Sequence, residues 1–91
     1  MSAALVTLEQ LLSLSEAMLL SANSDDWTTL AKQQREREAL TAALPENWQG
    51  SLVPAEQTQA RQLLQNCQRV DATIGPCVES RLAELRVLLR F

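Results

Sequence analysis

Apolar side chains recur along this chain with the spacing of one face of an α-helix, in three segments separated by polar turns. The first segment, residues 3–22, is more apolar than contact with a single neighbouring helix requires, because Val6, Leu14 and Leu20 lie outside its main face. We expect this helix to touch two helices or to leave apolar surface exposed. Its main face carries Ala4, Leu5, Leu8, Leu11, Leu12, Met18 and Leu19.

A polar turn predicts the start of a second helix. Residues 23–26 combine short side chains that can cap a helix with acids that suit its first turn. The second helix is predicted over about 25–44, before Pro45. Its inward stripe begins at Trp27, for which we predict a structural role, and includes Arg37 where an apolar residue is expected. The simplest interpretation of Arg37 is a long side chain covering the edge of the core.

A third apolar stripe runs from Pro54 to Phe91, after a loop over residues 45–53. Proline suits the first position of a helix, but Pro76 lies inside the stripe, where it removes a hydrogen bond and costs about 3 kcal/mol. The helix therefore either breaks at Gly75-Pro76, giving four helices, or continues with a kink at Pro76. We favour the kink, because the stripe keeps its phase through Ile74, Val78, Leu82, Leu85 and Leu89.

These segments predict an all-α fold, an up-down-up antiparallel bundle in one domain over residues 1–91. The third helix would be nearly twice as long as the others, so its second half would project with an apolar stripe that the chain itself does not cover. We predict that this stripe binds a partner and, in the isolated protein, supports a weak homodimer. Its residues are Val78, Arg81, Leu82, Leu85, Leu88, Leu89 and Phe91.

Two charged residues on the third stripe call for partners. Matching the second and third helices about their loop places Asp71 opposite Trp27, where the carboxylate would lie near the first amides of helix two; the alternative is an Asp facing solvent at the bundle edge. Arg81 is expected to reach a carboxylate of another helix or subunit, or to line the partner surface. The alternative is a surface residue in water.

Composition argues against catalysis and against nucleic acid as a ligand. The net charge is −3 and the sequence has no histidine, so the commonest general base and metal ligand is missing and no metal or cofactor is expected. No basic patch suits phosphates. Glu9 and Glu16 interrupt the apolar start, which argues against a signal peptide or a membrane span. Cys67 and Cys77 are expected to be reduced, in a cytoplasmic protein.

With these elements in order, the chain resembles the FliT-type flagellar export chaperones. Three stretches carry the resemblance: LLSLSEAMLLSANSDDWTTL, then the charged QQREREAL ended by proline, then RLAELRVLL. Each stretch alone is a common helical pattern, and the resemblance is made specific by their order and spacing, with Trp27 near the start of the second helix.

The resemblance implies a cytoplasmic chaperone of type III export that binds the filament-cap protein. It also implies contacts with export-apparatus components and, in some members, with a transcription activator. Two other classes remain open, a coiled-coil scaffold whose stripe serves only self-association and a regulator that sequesters a transcription factor.

Overall fold

The protein is a three-helix structure, described here by a computed structural model of residues 2–89. Side chains of Leu85, Leu88 and Leu89 lie outside this description. Helix α1 spans Ala3–Asn23, α2 spans Trp27–Ala43 and α3 spans Pro54–Leu89. Residues 2–89 contain no β-strand, so the predicted all-α fold is confirmed.

Capping side chains fix where the first two helices begin. The Ser2 hydroxyl accepts a hydrogen bond from the Leu5 amide at 3.2 Å. Asp26 caps α2 in the same way, since its carboxylate accepts from the Thr29 amide at 3.3 Å. Each cap satisfies an amide that has no partner inside its helix. The short polar residues before Trp27 therefore do what the sequence pattern predicts.

A tight turn joins α1 to α2 and holds Asp25 in the left-handed region, with φ at 57°. The Asp26 amide donates to the Ser21 carbonyl at 2.9 Å and the Asp25 amide donates to the Ala22 carbonyl at 3.3 Å. This pair of bonds is the Schellman motif, in which glycine usually occupies the left-handed position. Asp25 therefore occupies a position where glycine is usual, which indicates that its side chain has a role of its own.

Helix α1 is the centre of the structure, because both other helices pack against it. Within residues 2–89, no Cα atom of α2 lies within 8 Å of one in α3. Helix α2 buries no residue completely, whereas α1 contributes most of the core. The buried α1 residues are Leu5, Leu8, Leu11, Ser15, Met18, Ser21 and Ala22.

The main hydrophobic cluster lies at the end of the bundle where α1 begins. Leu52, from the loop, and Ala60, from α3, are buried there against Leu5 and Leu8. Trp48 packs on the same cluster. Each fully buried leucine contributes about 1.5–3 kcal/mol relative to an exposed one, so the loop is part of the core.

Helix α3 passes through Pro76 without a break. The four-helix alternative is therefore wrong, and the prediction of one long third helix is confirmed. Proline at this position leaves the carbonyl of Ala72 without its helical donor. Ala72 and Pro76 are both exposed, so water can satisfy that carbonyl. The kink itself stays a prediction.

Helix α1 is also long and apolar enough to cross a membrane, the one such helix among the described residues, with a mean hydropathy of 1.4. The helix meets this test of length and composition although it contains Glu9 and Glu16, so the prediction that it does not span a membrane stays a prediction. Two acids, Glu9 and Glu16, lie on its exposed side, and its opposite side forms the core described above. We therefore interpret its apolar character as that of a core helix, since buried helices pass the same test.

Candidate partner-binding surface

The C-terminal part of α3 extends past the rest of the bundle. The Cys77 thiol donates to the Asn23 amide oxygen at 3.2 Å, which places residue 77 level with the end of α1. Arg81 lies beside the turn that follows. Residues 82–89 therefore project by about 12 Å, and the structure is 58 Å long but only 20 Å wide.

Arg81 ties the start of this projecting segment to the turn between α1 and α2. Its Nε lies 3.0 Å from a carboxylate oxygen of Asp25, and its Nη1 lies 3.4 Å from Glu84. Arg81 thus reaches an acid outside α3, although that acid lies in a turn and not on another helix or subunit. Its predicted role in partner binding stays a prediction. All three side chains are well exposed to solvent, so the pairs contribute about 0–1 kcal/mol each and mainly position the helix.

The predicted partner-binding stripe is only partly described by the structure. Val78 is half-buried, whereas Leu82 is 44% exposed. Leu85, Leu88 and Leu89 lie on the projecting helix, but their side chains, like the whole of Phe91, fall outside the described residues. The role of this set in binding stays a prediction.

Val87 is an exposed apolar residue that the stripe analysis missed. It is 55% exposed on the same projecting segment. It lies off the helical phase that joins Val78 to Leu82, so a search for one periodic face could not include it. Its presence widens the apolar surface at the end of α3.

Asp71 pairs with Arg37, whose Nη1 lies 2.5 Å from the carboxylate. The predicted position near Trp27 is wrong, since Arg37 is ten residues further along α2, about 15 Å. The loop explains the error. Leu52 is buried beneath α1, so the chain runs on past the end of α2 before α3 begins, and this shifts the register.

The Arg37–Asp71 pair is the side-chain link between α2 and α3. Arg37 also donates from Nη2 to the Gln34 side-chain oxygen at 3.0 Å, which fixes the guanidinium over the junction. Arg37 therefore bridges two helices and does more than cover the edge of the core.

The two tryptophans have different surroundings. Trp27 is the first residue of α2 and is half-buried. Trp48, in the loop, packs on the main cluster. The structural role predicted for Trp27 stays a prediction, whereas Trp48 contributes to the core.

Cys67 and Cys77 are free thiols. Burial raises the pKa of the Cys67 thiol, and the carboxylates of Asp71 and Glu16 raise it further, against the opposing effect of Arg37. A raised pKa keeps sulfur in the protonated, weakly nucleophilic form at neutral pH. Cys67 is thus a small half-buried residue under the Arg37–Asp71 pair.

A second surface was missed, a shallow groove between α1 and α2. It is lined mainly by apolar residues, including Val6, Leu14 and Leu40, with Glu9 on one wall and Glu36 on the other. The sequence contained a signal for it, since Val6 and Leu14 fall outside the main face of α1. Among residues 2–89 no group of three or more His, Cys, Asp or Glu side chains could hold a metal ion. The chemistry available at both surfaces is binding of apolar side chains.

Comparison with known proteins gives one finding. The family model described as flagellar protein FliT matches residues 5–90. No curated protein and no solved structure matches the chain. The match spans all three helices and the loop between α2 and α3, which is nearly the whole sequence. The chain therefore belongs to the FliT family of flagellar export chaperones.

Proposed function

We propose that this protein is a cytoplasmic chaperone that binds the filament-cap protein before its type III export, through the projecting end of α3. The observation that carries the proposal is the exposure of Leu82 and Val87 on a helix that has already passed the rest of the bundle. Leu82 and Val87 point to different sides of α3, so the segment exposes apolar side chains on more than one face, and larger exposed apolar surfaces mark interaction sites in soluble proteins.

The shape of this surface favours a helical client. A projecting helix can pair with an amphipathic helix, whose apolar residues recur every three or four positions and meet the stripe of α3. Association costs about 4–15 kcal/mol in lost translational and rotational freedom. The projecting segment is short, so it can offset only part of this cost by burying apolar surface. The complex should therefore be of modest affinity, which suits a chaperone that must release its client at the export apparatus.

The same proposal includes binding without catalysis. A chaperone of this kind needs a surface that shields apolar client segments and then lets them go. The raised thiol pKa of Cys67 supports a structural role for that cysteine, because a reactive cysteine needs a lowered pKa.

Isothermal titration calorimetry of the purified protein with the filament-cap protein tests the proposal. We expect Leu82→Asp to weaken binding by about tenfold or more, since a buried charge at such a contact costs at least about 1.4 kcal/mol. Val53→Asp is the matched control, because Val53 is 56% exposed but lies in the loop just before α3, far from the projecting end of that helix. Circular dichroism establishes that both variants are folded.

If Leu82→Asp binds as the unaltered protein does, the end of α3 is not the client surface. Absence of binding by the unaltered protein would contradict the proposed client itself. Binding that Val53→Asp weakens equally would show that the effect of the charge is not local.

A further inference from the structure

A cavity of about 410 Å³ lies between the loop that follows α2 and the first turns of α3, in a part of the molecule that the proposed function does not use. This volume falls in the range of ligand sites in proteins, about 300–1,000 Å³. The loop forms one wall of the cavity and α3 forms the other. Its apolar lining consists of Trp48, Leu52, Ala60 and Leu64.

The apolar lining is continuous with the main hydrophobic cluster. Leu52 and Ala60 are buried in that cluster, and Leu64 packs on it. Trp48 packs on it too but is only half-buried, so part of the indole ring stays accessible from the cavity side of the loop. Tryptophan and arginine are the residue types that most often contribute a large share of the binding energy at protein interfaces.

Hydrogen bonds hold the loop wall of this cavity in place. The Ser51 hydroxyl donates to the Trp48 carbonyl at 2.8 Å. The Gln57 side-chain amide donates to the Leu52 carbonyl at 3.0 Å and so ties the loop to α3. The cavity is therefore formed before any ligand arrives, and binding does not have to spend free energy on ordering the loop.

The charge at the cavity indicates the kind of ligand that fits it. Arg61 is the only charged residue in its lining among residues 2–89, and the other polar side chains there are Gln49 and Gln57. Arg61 is exposed and forms no ion pair within the described part of the chain, whereas Arg37 and Arg81 each bind a carboxylate. A free guanidinium beside an apolar wall favours a ligand that places a carboxylate next to an apolar group.

The size of the cavity suits one anchoring side chain. Its α3 wall runs from Gln57 to Leu64, about 10 Å along the helix. A partner helix that inserts a whole apolar stripe needs a longer groove. An aromatic anchor suits the Trp48 wall, because aromatic rings attract each other in offset or edge-to-face arrangements.

We propose that this cavity is a second protein-binding site, which takes one aromatic side chain of a partner protein with an Asp or Glu beside it that pairs with Arg61. Leu82 lies about 38 Å further along α3 than Gln57, so the cavity and the projecting end are separate surfaces. The site does not depend on the client proposed above, and a bound client leaves it open.

NMR titration of the isotope-labelled protein tests this site, since a single anchor buries only about 150–250 Å² and binds weakly. The probe is a short peptide, blocked at both ends, in which one phenylalanine is followed by one glutamate. We expect saturable shifts of the Trp48 indole N–H signal and of the backbone amides of residues 48–52 and 57–64. The Trp27 indole signal, identified by its loss in Trp27→Phe, should not move. Absence of a saturable shift at Trp48 overturns the proposal.

A matched peptide and matched variants test the role of Arg61. The unaltered protein should bind the glutamate peptide about two- to fivefold more tightly than the same peptide with glutamine, which is the effect of one exposed ion pair. Arg61→Gln should bind both peptides equally. Arg69→Gln, which removes an exposed arginine of α3 outside the cavity, should keep the preference. No preference in the unaltered protein, or a preference that Arg61→Gln retains, overturns the proposed acidic ligand.

Added negative charge tests the position of the ligand. Gln49→Glu places a carboxylate in the cavity lining and should weaken binding of the glutamate peptide, because like charges repel. Gln59→Glu, at an exposed position of α3 outside the lining, should have a smaller effect. Equal effects of the two substitutions would contradict the proposed position. Circular dichroism establishes that each variant is folded.

Leu82→Asp separates this site from the proposed client surface. It should weaken binding of the filament-cap protein and leave the peptide affinity unchanged, whereas Arg61→Gln should leave binding of the filament-cap protein unchanged. Loss of peptide binding in Leu82→Asp would place the probe at the projecting end and overturn the cavity site. Peptide binding at the cavity by a protein that does not bind the filament-cap protein would support this site and contradict only the proposed client.

Discussion

Asp25 combines a backbone conformation that usually selects glycine with a side chain that holds Arg81. Its φ of 57° costs an L-residue about 1–2 kcal/mol, somewhat less for Asp, whose short polar side chain tolerates this region. Its exposed ion pair with Arg81, at 3.0 Å, stabilises the folded state by about 0.2–1 kcal/mol. The two effects are of similar size and can be separated by substitution.

Three substitutions at Asp25 separate the backbone effect from the effect of the ion pair. Asp25→Gly loses the ion pair but relieves the backbone, whereas Asp25→Ala loses the pair and keeps the unfavourable conformation. We expect the Gly variant to be more stable than the Ala variant by about 1 kcal/mol, or about 4–8 °C in Tm for a chain of this size. Asp25→Asn keeps a side chain suited to the turn, so it should lose only the charge, at most about 1 kcal/mol.

Urea denaturation followed by circular dichroism measures these differences in the free energy of unfolding. Added salt should narrow the gap between the unaltered protein and the Asp25→Asn variant, because it screens exposed charges, and should leave the difference between the Gly and Ala variants unchanged. An Ala variant as stable as the Gly variant would refute the left-handed conformation at this position. A gap between the unaltered protein and Asp25→Asn that ignores salt would refute the ion pair.

Further predictions concern the core, the interhelical pair and the half-buried cysteine. Leu8→Ala, at a fully buried position, should lower the free energy of unfolding by about 2–5 kcal/mol, whereas Leu20→Ala should change it by about 0.5 kcal/mol or less; urea titration compares them. A double-mutant cycle with Arg37→Gln and Asp71→Asn should give a coupling of about 0.5–1 kcal/mol, and zero coupling would contradict the observed pair. The raised pKa of Cys67 favours the protonated thiol in the folded state, so this contribution to stability is present below the ordinary thiol value and is lost as pH rises from that value through the raised one. Cys67→Ala should therefore lose less stability in alkaline titration than the unaltered protein.

The number and limits of the helices were predictable because local chemistry sets them. Polar residues before Trp27, the proline after Leu44 and Pro54 itself each act within one turn of their position. The phase of the third stripe likewise predicted correctly that α3 continues through Pro76, because helical periodicity does not depend on neighbours.

Register between helices was not predictable in the same way. It depended on Leu52, a single apolar residue in a polar loop, being buried under α1 and drawing the chain past the end of α2. Ser15 and Ser21 are buried in α1, although serine gives no apolar signal. The Ser21 hydroxyl donates a hydrogen bond to the Gln33 side-chain oxygen at 2.8 Å, so this buried polar group has a partner. Whether such a residue is buried depends on tertiary packing, which the residue types alone do not reveal.

The central place of α1 has a consequence for synthesis. Leu5 and Leu8 are buried against Leu52 and Ala60, which the ribosome adds roughly fifty residues later. Until then the nascent chain presents an apolar helix, with only α2 to pack on it, and α2 buries no residue of its own. Folding must therefore wait for the start of α3, because contacts distant in sequence form only when both partners exist. Ribosome-associated chaperones would meet this protein at its most apolar stage, when α1 and α2 have emerged and the base of the bundle has not.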